Sequence, residues 1–198
     1  MQLWDSVLMH LKNTKKPQQK FVCHVLRVLW LLPGHATFRN LSRYSTYHER
    51  TFARWDGRDF DFVALNKAAI SHVIPPTHEQ ALVIDASFVP KSGKKTSGLD
   101  RFWNGRQSRA EKGLEISALA WLDITDHCAY GLSVEQTPAT DKTTALATTR
   151  IAAYLDQVRR VVSEHELTHL RDVITDGYDS KQQFVGGLRA LGLHQIGK

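Results

Sequence analysis

The chain has 198 residues, 42% of them hydrophobic and 23% charged, with a formal net charge of +6. Its longest apolar run, Phe21 to Leu32, is broken by His24 and Arg27 and falls short of the about 20 residues that a membrane-spanning helix needs, so no such helix is expected. No cleavable signal pattern opens the chain, which is expected inside the cell. The two cysteines, Cys23 and Cys128, lie far apart without metal-type spacing and are expected to be reduced, buried small hydrophobes.

Charge is unevenly spread. Residues 1–80 hold 11 Lys+Arg against 6 Asp+Glu, residues 81–120 hold 7 against 4, and residues 121–198 hold 8 against 10. A basic front half fits a polyanion-binding surface and points to nucleic acid, or else is a solvated basic face.

In chain order, the first 75 or so residues read as helical. Leu3, Trp4, Val7, Leu8 and Leu11 recur at helical spacing, and a second helix over Phe21 to Leu32 is stopped by Pro33 and Gly34. Thr37 can cap a short helix carrying Phe38 and Leu41, and Thr46 with Glu49 reads as a capping box opening another through Phe52 and Trp55. A further helix starts at Asp59 or Asp61, and Pro75-Pro76 reads as a domain boundary. Arg39, Arg43, Arg50 and Arg54 lie on the two short helices among Tyr44, Tyr47 and His48. Such a helix pair could enter a DNA groove, while a helical bundle with solvated arginines looks much the same.

After Ala81 the rhythm becomes that of strands. Ala81–Val89 is an apolar, β-branched run carrying one carboxylate, Asp85, and a lone charge in a buried strand is costly unless it is paired or holds a metal. The segment from Pro90 to Arg109 reads as a flexible basic loop, in which Lys91, Lys94, Lys95, Arg101, Arg106 and Arg109 could contact DNA phosphates. Glu111–Asp123 alternates, with Leu114, Ile116, Ala118, Ala120 and Leu122 on one face and Glu115, Ser117 and Asp123 on the other. Ala129–Gln136 makes a third strand. Asp141 is expected to cap a long helix whose stripe is Ala147, Ile151, Tyr154, Leu155, Val158 and Val162. A strand from Leu170 to Thr175 then ends at Asp176, a helix follows from about Ser180 to its cap at Gly192, and another strand begins at Leu193. Two strands that each deliver an aspartate suggest one shared cation site. His165 and His169 have helical spacing but stand at a helix exit, and no zinc site is expected there.

Three antiparallel strands followed by helix, strand, helix and strand imply a mixed sheet with helices packed on it. The order resembles the ribonuclease H-like fold of integrases and DDE transposases. The expected fold class is therefore α+β or α/β, a ribonuclease H-like mixed sheet (77–198) preceded by a small all-helical, DNA-binding domain (1–76).

The stretches VIDASFVPKSGKKTSGLDRFWNG (Val83–Gly105), EKGLEISALAWLDI (Glu111–Ile124) and VITDGYDSKQQFV (Val173–Val185) resemble DDE transposases of bacterial insertion sequences, of the IS4-like or IS701-like group. TFRNLSRYSTYHERTFARW (Thr37–Trp55) is similar to their N-terminal region. The resemblance implies that Asp85 and Asp176 are catalytic and hold Mg²⁺ or Mn²⁺, two ions about 4 Å apart in the complete enzyme. It implies cleavage at element ends, then attack of the freed 3′-hydroxyl on target DNA, by a homodimer at the bacterial nucleoid. The family's third ligand is a glutamate in a tyrosine, arginine, glutamate and lysine pattern. No acidic residue follows Asp179 here, and Glu164, Glu166 and Asp179 read as helix-end or turn charges. The expectation is a chain truncated before that glutamate, with little or no activity of its own. The alternatives are a DNA-binding remnant competing with intact transposase, and a different ribonuclease H-like nuclease.

Overall fold

The structure is a computed structural model that describes residues 7–8, 11, 14–139, 149–176 and 182–197. It forms two compact units, Met1–Ala69 and Ile70–Lys198.

In the first unit, α1 (Lys16–Leu31) starts with Pro17 in its first turn, where the missing N–H costs nothing, and stops just ahead of Pro33. Its buried residues are Val22, Cys23 and Val28. Val22 and Cys23 join Val7, Leu8 and Leu65 in one cluster, while Val28 meets Leu41 and Phe52 in another. α2 (Phe38–Arg43) is capped by Thr37, whose side chain accepts from Asn40 N at 3.2 Å. α3 (Glu49–Asp56) begins later than the expected capping box. His48, not Thr46, is its cap, with Nδ1 accepting from Arg50 N at 3.2 Å. α4 (Phe62–Ser71) has Asp61 Oδ1 accepting from Ala64 N at 2.8 Å, so Asp61 rather than Asp59 opens it. Phe21 of α1 stacks on Trp55 of α3, with centroids 5.0 Å apart.

The second unit is built on a six-stranded mixed sheet with helices beside it. β1 (Gln80–Pro90) pairs antiparallel along its whole length with β3 (Arg109–Asp123). The other edge of β3 is shared: β2 (Asp100–Asn104) takes residues 109–113, and β4 (Cys128–Gln136) takes residues 116–123. On the far side of β1 lie β5 (Asp172–Thr175) and then β6 (His194–Gly197), both parallel. Apart from β2, the order and directions are those expected of a ribonuclease H-like sheet.

The added strand corrects the reading of Pro90–Arg109 as one flexible loop. Phe102 is fully buried, and its strand completes a hairpin with β3 through Asn104 and Arg109. A residue run with one deeply buried aromatic is drawn into the sheet by that side chain, whatever the charge around it. Cys128 is likewise exposed at the start of β4 rather than buried.

α5 (Arg150–Glu164) follows β4, with Thr149 capping it by accepting from Ala152 N. Ile151, Tyr154, Val158 and Val162 are buried as the periodicity indicates, and Gln157 is fully buried with them, while Leu155 is only half-buried. Ala147 and the expected cap Asp141 lie outside the described residues. α6 (Gln182–Ala190) buries Phe184 and Leu188. Gly187 lets it close on α5, since a Cβ there would stand 2.5 Å from Leu155 Cδ1. Its end is closed by Gly192 at φ +75°, with Leu193 N donating to Leu188 O at 2.9 Å. Ser180 lies outside the described residues.

β3 holds the main surprise. The face carrying Glu115, Ser117, Leu119, Trp121 and Asp123 is the buried one, whereas Leu114, Ile116, Ala118, Ala120 and Leu122 are half-buried or exposed. The reason lies in α5, which brings polar partners: Gln157 Oε1 accepts from Ser117 Oγ, and Gln157 Nε2 donates to Ser133 Oγ at 3.2 Å. Buried polar groups are tolerated when they are paired.

Candidate active site

The two aspartates are brought together by strand pairing. β1 and β5 run parallel with Val83 opposite Ile174. Two residues further along the chain stand Asp85, within β1, and Asp176, and the strand's period of two keeps Asp85 on the Val83 face. Asp176 directly follows the last residue of β5, Thr175. Both aspartates are exposed and line one cleft of about 180 Å³ together with Ala86, Trp103, Glu115, Arg150 and Tyr154.

The exposure of Asp85 changes the argument for it. β1 is buried at Ala81, Leu82 and Ile84 and opens to solvent from Asp85 to Ser87. Its charge therefore carries little desolvation cost, and what singles it out is convergence with Asp176. Two hard carboxylates facing one solvated cleft are a donor set that suits Mg²⁺ or Mn²⁺, which retain water and take further ligands from a phosphate.

Glu115 is the residue that sequence reasoning missed. It is 6% exposed, yet reaches the same cleft. Tyr154 Oη donates to its Oε1 at 2.7 Å, and Arg150 Nη1 stands 3.6 Å from its Oε2. Arg150 Nη2 also donates to the Arg101 carbonyl at 3.1 Å, and its guanidinium carbon lies 4.8 Å above the Phe102 ring centre. A usable signal existed: Glu115 and Ser117 alternate with the apolar Leu114, Ile116 and Ala118, and Tyr154 and Gln157 sit three apart on one helix stripe.

The basic residues after β1 are all exposed, but in different settings. Lys91, Lys94 and Lys95 lie in the link between β1 and β2, Arg101 within β2, Arg106 in the β2–β3 turn, and Arg109 at the start of β3. Arg101 Nη2 donates to the Ala110 carbonyl at 2.9 Å. Arg109 is engaged by Glu111, accepting through Oε1 at 2.7 Å from Arg109 Nε, while Asn104 donates to Oε2 at 2.6 Å. These bonds, Asn104 first and Arg109 second, hold the Glu111 carboxyl below the usual carboxylate range. Trp103 is 57% exposed at the cleft. In the first unit, Arg39 and Arg43 on α2 and Arg50 and Arg54 on α3 are exposed.

Among the described residues one further group has ligand spacing, His78, Asp123 and Asp126, just before β1 and at the C-terminal end of β3. His78 Nδ1 is 2.9 Å from Asp123 Oδ2 and 3.8 Å from Asp126 Oδ2, and Asp126 N donates to Asp123 Oδ1 at 3.1 Å. Burial pushes the Asp123 carboxyl up, but the bonds from His78, Asp126 and Thr125 outweigh it and hold the group low. These contacts tie the β3–β4 turn to the start of β1. His165 caps the end of α5, and His169 lies against Trp121 with ring centres 5.6 Å apart. Glu164 ends α5, and Asp179 is outside the described residues.

Comparison with known proteins bears on this geometry. No curated protein matches the chain. Among solved structures, it is similar to Endonuclease V of Ciona intestinalis, in complex with a 24mer DNA containing an inosine followed by a ribo-adenosine. That match has 12% identity and a TM-score of 0.36 and covers 61% of this chain and 45% of the other. It is also similar to the Mos1 transposase in a paired-end complex with the left transposon end, with 10% identity, a TM-score of 0.32, and coverage of 86% and 57%. The chain thus spans about half the length of the solved structures it matches. The family model described as DDE superfamily endonuclease matches residues 35–198. That range takes in the whole of the second unit and with it both cleft aspartates, and the chain belongs to the DDE superfamily endonuclease family.

Proposed function

We propose that the chain is a divalent-cation-dependent DNA endonuclease of the transposase kind, with Asp85 and Asp176 as its cation-holding carboxylates. The observation that supports this is their meeting in one cleft at the ends of two parallel strands. When bound, Mg²⁺ or Mn²⁺ supplies electrophilic pull on a phosphodiester and lowers the pKa of the attacking hydroxyl. Asp85 and Asp176 orient that cation, and the Phe102-anchored hairpin forms a wall of the cleft. Exposed Lys91, Lys94, Lys95, Arg101, Arg106 and Arg109 lie on the chain that leaves β1 beyond Asp85 and supply cations for the DNA backbone.

On this reading the substrate is double-stranded DNA at insertion-sequence ends, and the enzyme belongs with the IS4-like or IS701-like transposases. Cleavage leads to strand transfer by a 3′-hydroxyl, two copies hold two ends, and the site of action is the bacterial nucleoid. The unit before the sheet, with exposed Arg39, Arg43, Arg50 and Arg54, holds the DNA. Two carboxylates grip a divalent cation weakly, so these 198 residues by themselves are expected to cut slowly. The exposure of those four arginines also favours a second reading, in which this chain binds DNA without cutting it. A ribonuclease H-like nuclease with another substrate is the third.

The test is nicking of supercoiled DNA by the purified chain with Mn²⁺, beside duplex binding on the same preparation. Slow nicking that Asp85→Ala and Asp176→Ala each abolish supports the endonuclease. Binding with no nicking favours the second reading, and cleavage confined to RNA-DNA hybrids or branched DNA the third. Rapid nicking by the wild type would overturn the expectation of weak activity.

A further inference from the structure

We propose that Arg150 binds a non-bridging oxygen of the phosphodiester presented to Asp85 and Asp176, and that Glu115 is its positioning residue. The inference rests on the proposed cation site and deepens it.

The argument begins with Glu115. A carboxylate that is 6% exposed is costly unless both its oxygens are satisfied. Tyr154, itself 2% exposed, satisfies Oε1. Oε2 has Arg150 nearby, but at 3.6 Å, which is longer than the about 2.7–2.9 Å of a direct charge-assisted bond. Glu115 thus orients the guanidinium without saturating it. The Arg101 carbonyl and the Phe102 ring restrain the same group, and both belong to β2. An arginine is expensive to immobilise. Here three restraints from two neighbouring strands have done so before any ligand arrives.

The side chain so held is 25% exposed and lines the cleft that holds the two aspartates. A guanidinium has five N–H donors in a planar fork that fits two phosphate oxygens. Among the described residues, Nη2 is used on the Arg101 carbonyl and Nη1 faces Glu115 at long range, which leaves donors for an oxyanion. Charge sets the order of events. Among the described residues that line the cleft, three carboxylates stand beside one guanidinium, so a divalent cation is expected to enter before a phosphate does. Once it does, Arg150 is the protein's own cation at the phosphate. A purely structural Arg150 would only balance Glu115, and phosphate affinity would not depend on it.

The test uses the whole chain and a short fluorescent DNA duplex, titrated in EDTA and again in Ca²⁺, with Mn²⁺ affinity measured separately by electron paramagnetic resonance. The wild type should bind duplex more tightly with Ca²⁺ than without. Arg150→Gln should reduce that gain by about tenfold, the scale of losing hydrogen bonds to a charged group, while duplex affinity in EDTA and Mn²⁺ affinity stay as in the wild type. Arg150→Lys, which keeps the charge opposite Glu115 but not the fork, should fall between the two. If Arg150→Gln does not fold, Arg150→Lys and the double variant Arg150→Gln with Glu115→Gln carry the comparison. An undiminished Ca²⁺-dependent gain in the folded variants overturns the role of Arg150 and leaves the cation site standing. Mn²⁺ binding without any such gain in the wild type does the same. A wild type that binds no Mn²⁺ overturns both.

Discussion

Tyr154 Oη donates to Glu115 Oε1 at 2.7 Å, joining the first turns of α5 to the middle of β3 beneath the aspartate cleft. Both partners are more than nine-tenths buried. Removing the donor with Tyr154→Phe leaves a buried carboxylate oxygen short of a partner, which should cost about 1–3 kcal/mol. Urea unfolding of the two proteins checks this, and an unchanged midpoint would show that water replaces the hydroxyl.

Asp85 and Asp176 stand two residues beyond the paired Val83 and Ile174 and line one cleft. Excess Mn²⁺ should therefore raise the thermal midpoint of the wild type. A cation at 100 times its dissociation constant stabilises by about 2.7 kcal/mol. Asp85→Asn and Asp176→Asn should each remove most of that rise, and without metal Asp85→Asn should melt at or slightly above the wild-type temperature, since it removes one of the carboxylates that line the cleft. A full Mn²⁺ response in both variants would place the cation elsewhere, with His78, Asp123 and Asp126 as the next residues to replace.

Gly113 faces Phe88 across the β1–β3 ladder. A Cβ there would stand 2.5 Å from Phe88 Cε2 and 2.6 Å from the Val89 carbonyl oxygen. The ring can swing aside but the backbone oxygen cannot do so without loosening the ladder. Gly113→Ala should cost about 1–3 kcal/mol, in the range of overpacked cores. Gly105→Ala, at a position with open space around it, serves as the control.

His24 gives the first unit a pH dependence. Burial first, and the Arg27 charge second, hold its imidazole below the ordinary value of 6.5. Its Nε2 lies 2.6 Å from Ser45 Oγ, and its ring meets Tyr47 edge-on at 4.6 Å. The unfolded chain takes up this proton more readily than the folded unit. The contribution to stability is thus present above the ordinary value and is lost as pH falls through it toward the folded value. Thermal melts at about pH 7.5 and 5.5, on either side of the usual histidine range, should show a larger loss for the wild type than for His24→Gln. Equal losses would mean that other groups carry the dependence.

Apart from β2, the sequence by itself determined the order of the sheet's strands and the places of the two aspartates along it. Alternation in Glu111–Asp123, the stripe through Ile151, Tyr154, Val158 and Val162, and the glycine stop at Gly192 are local signals, and periodicity over a few residues reports them faithfully. Tertiary structure alone decided three things. It paired β2 with β3, because Phe102 has a core to enter only once β1 and β3 have formed. It turned the charged face of β3 inward, because alternation separates two faces without saying which one a distant helix will cover, and α5 arrives with Tyr154 and Gln157 to satisfy that face. And it set Glu115 and Arg150, 35 residues apart in the chain, at the wall of one cleft with Asp85 and Asp176. Such contacts depend on strand register and helix placement, which no window of neighbouring residues contains.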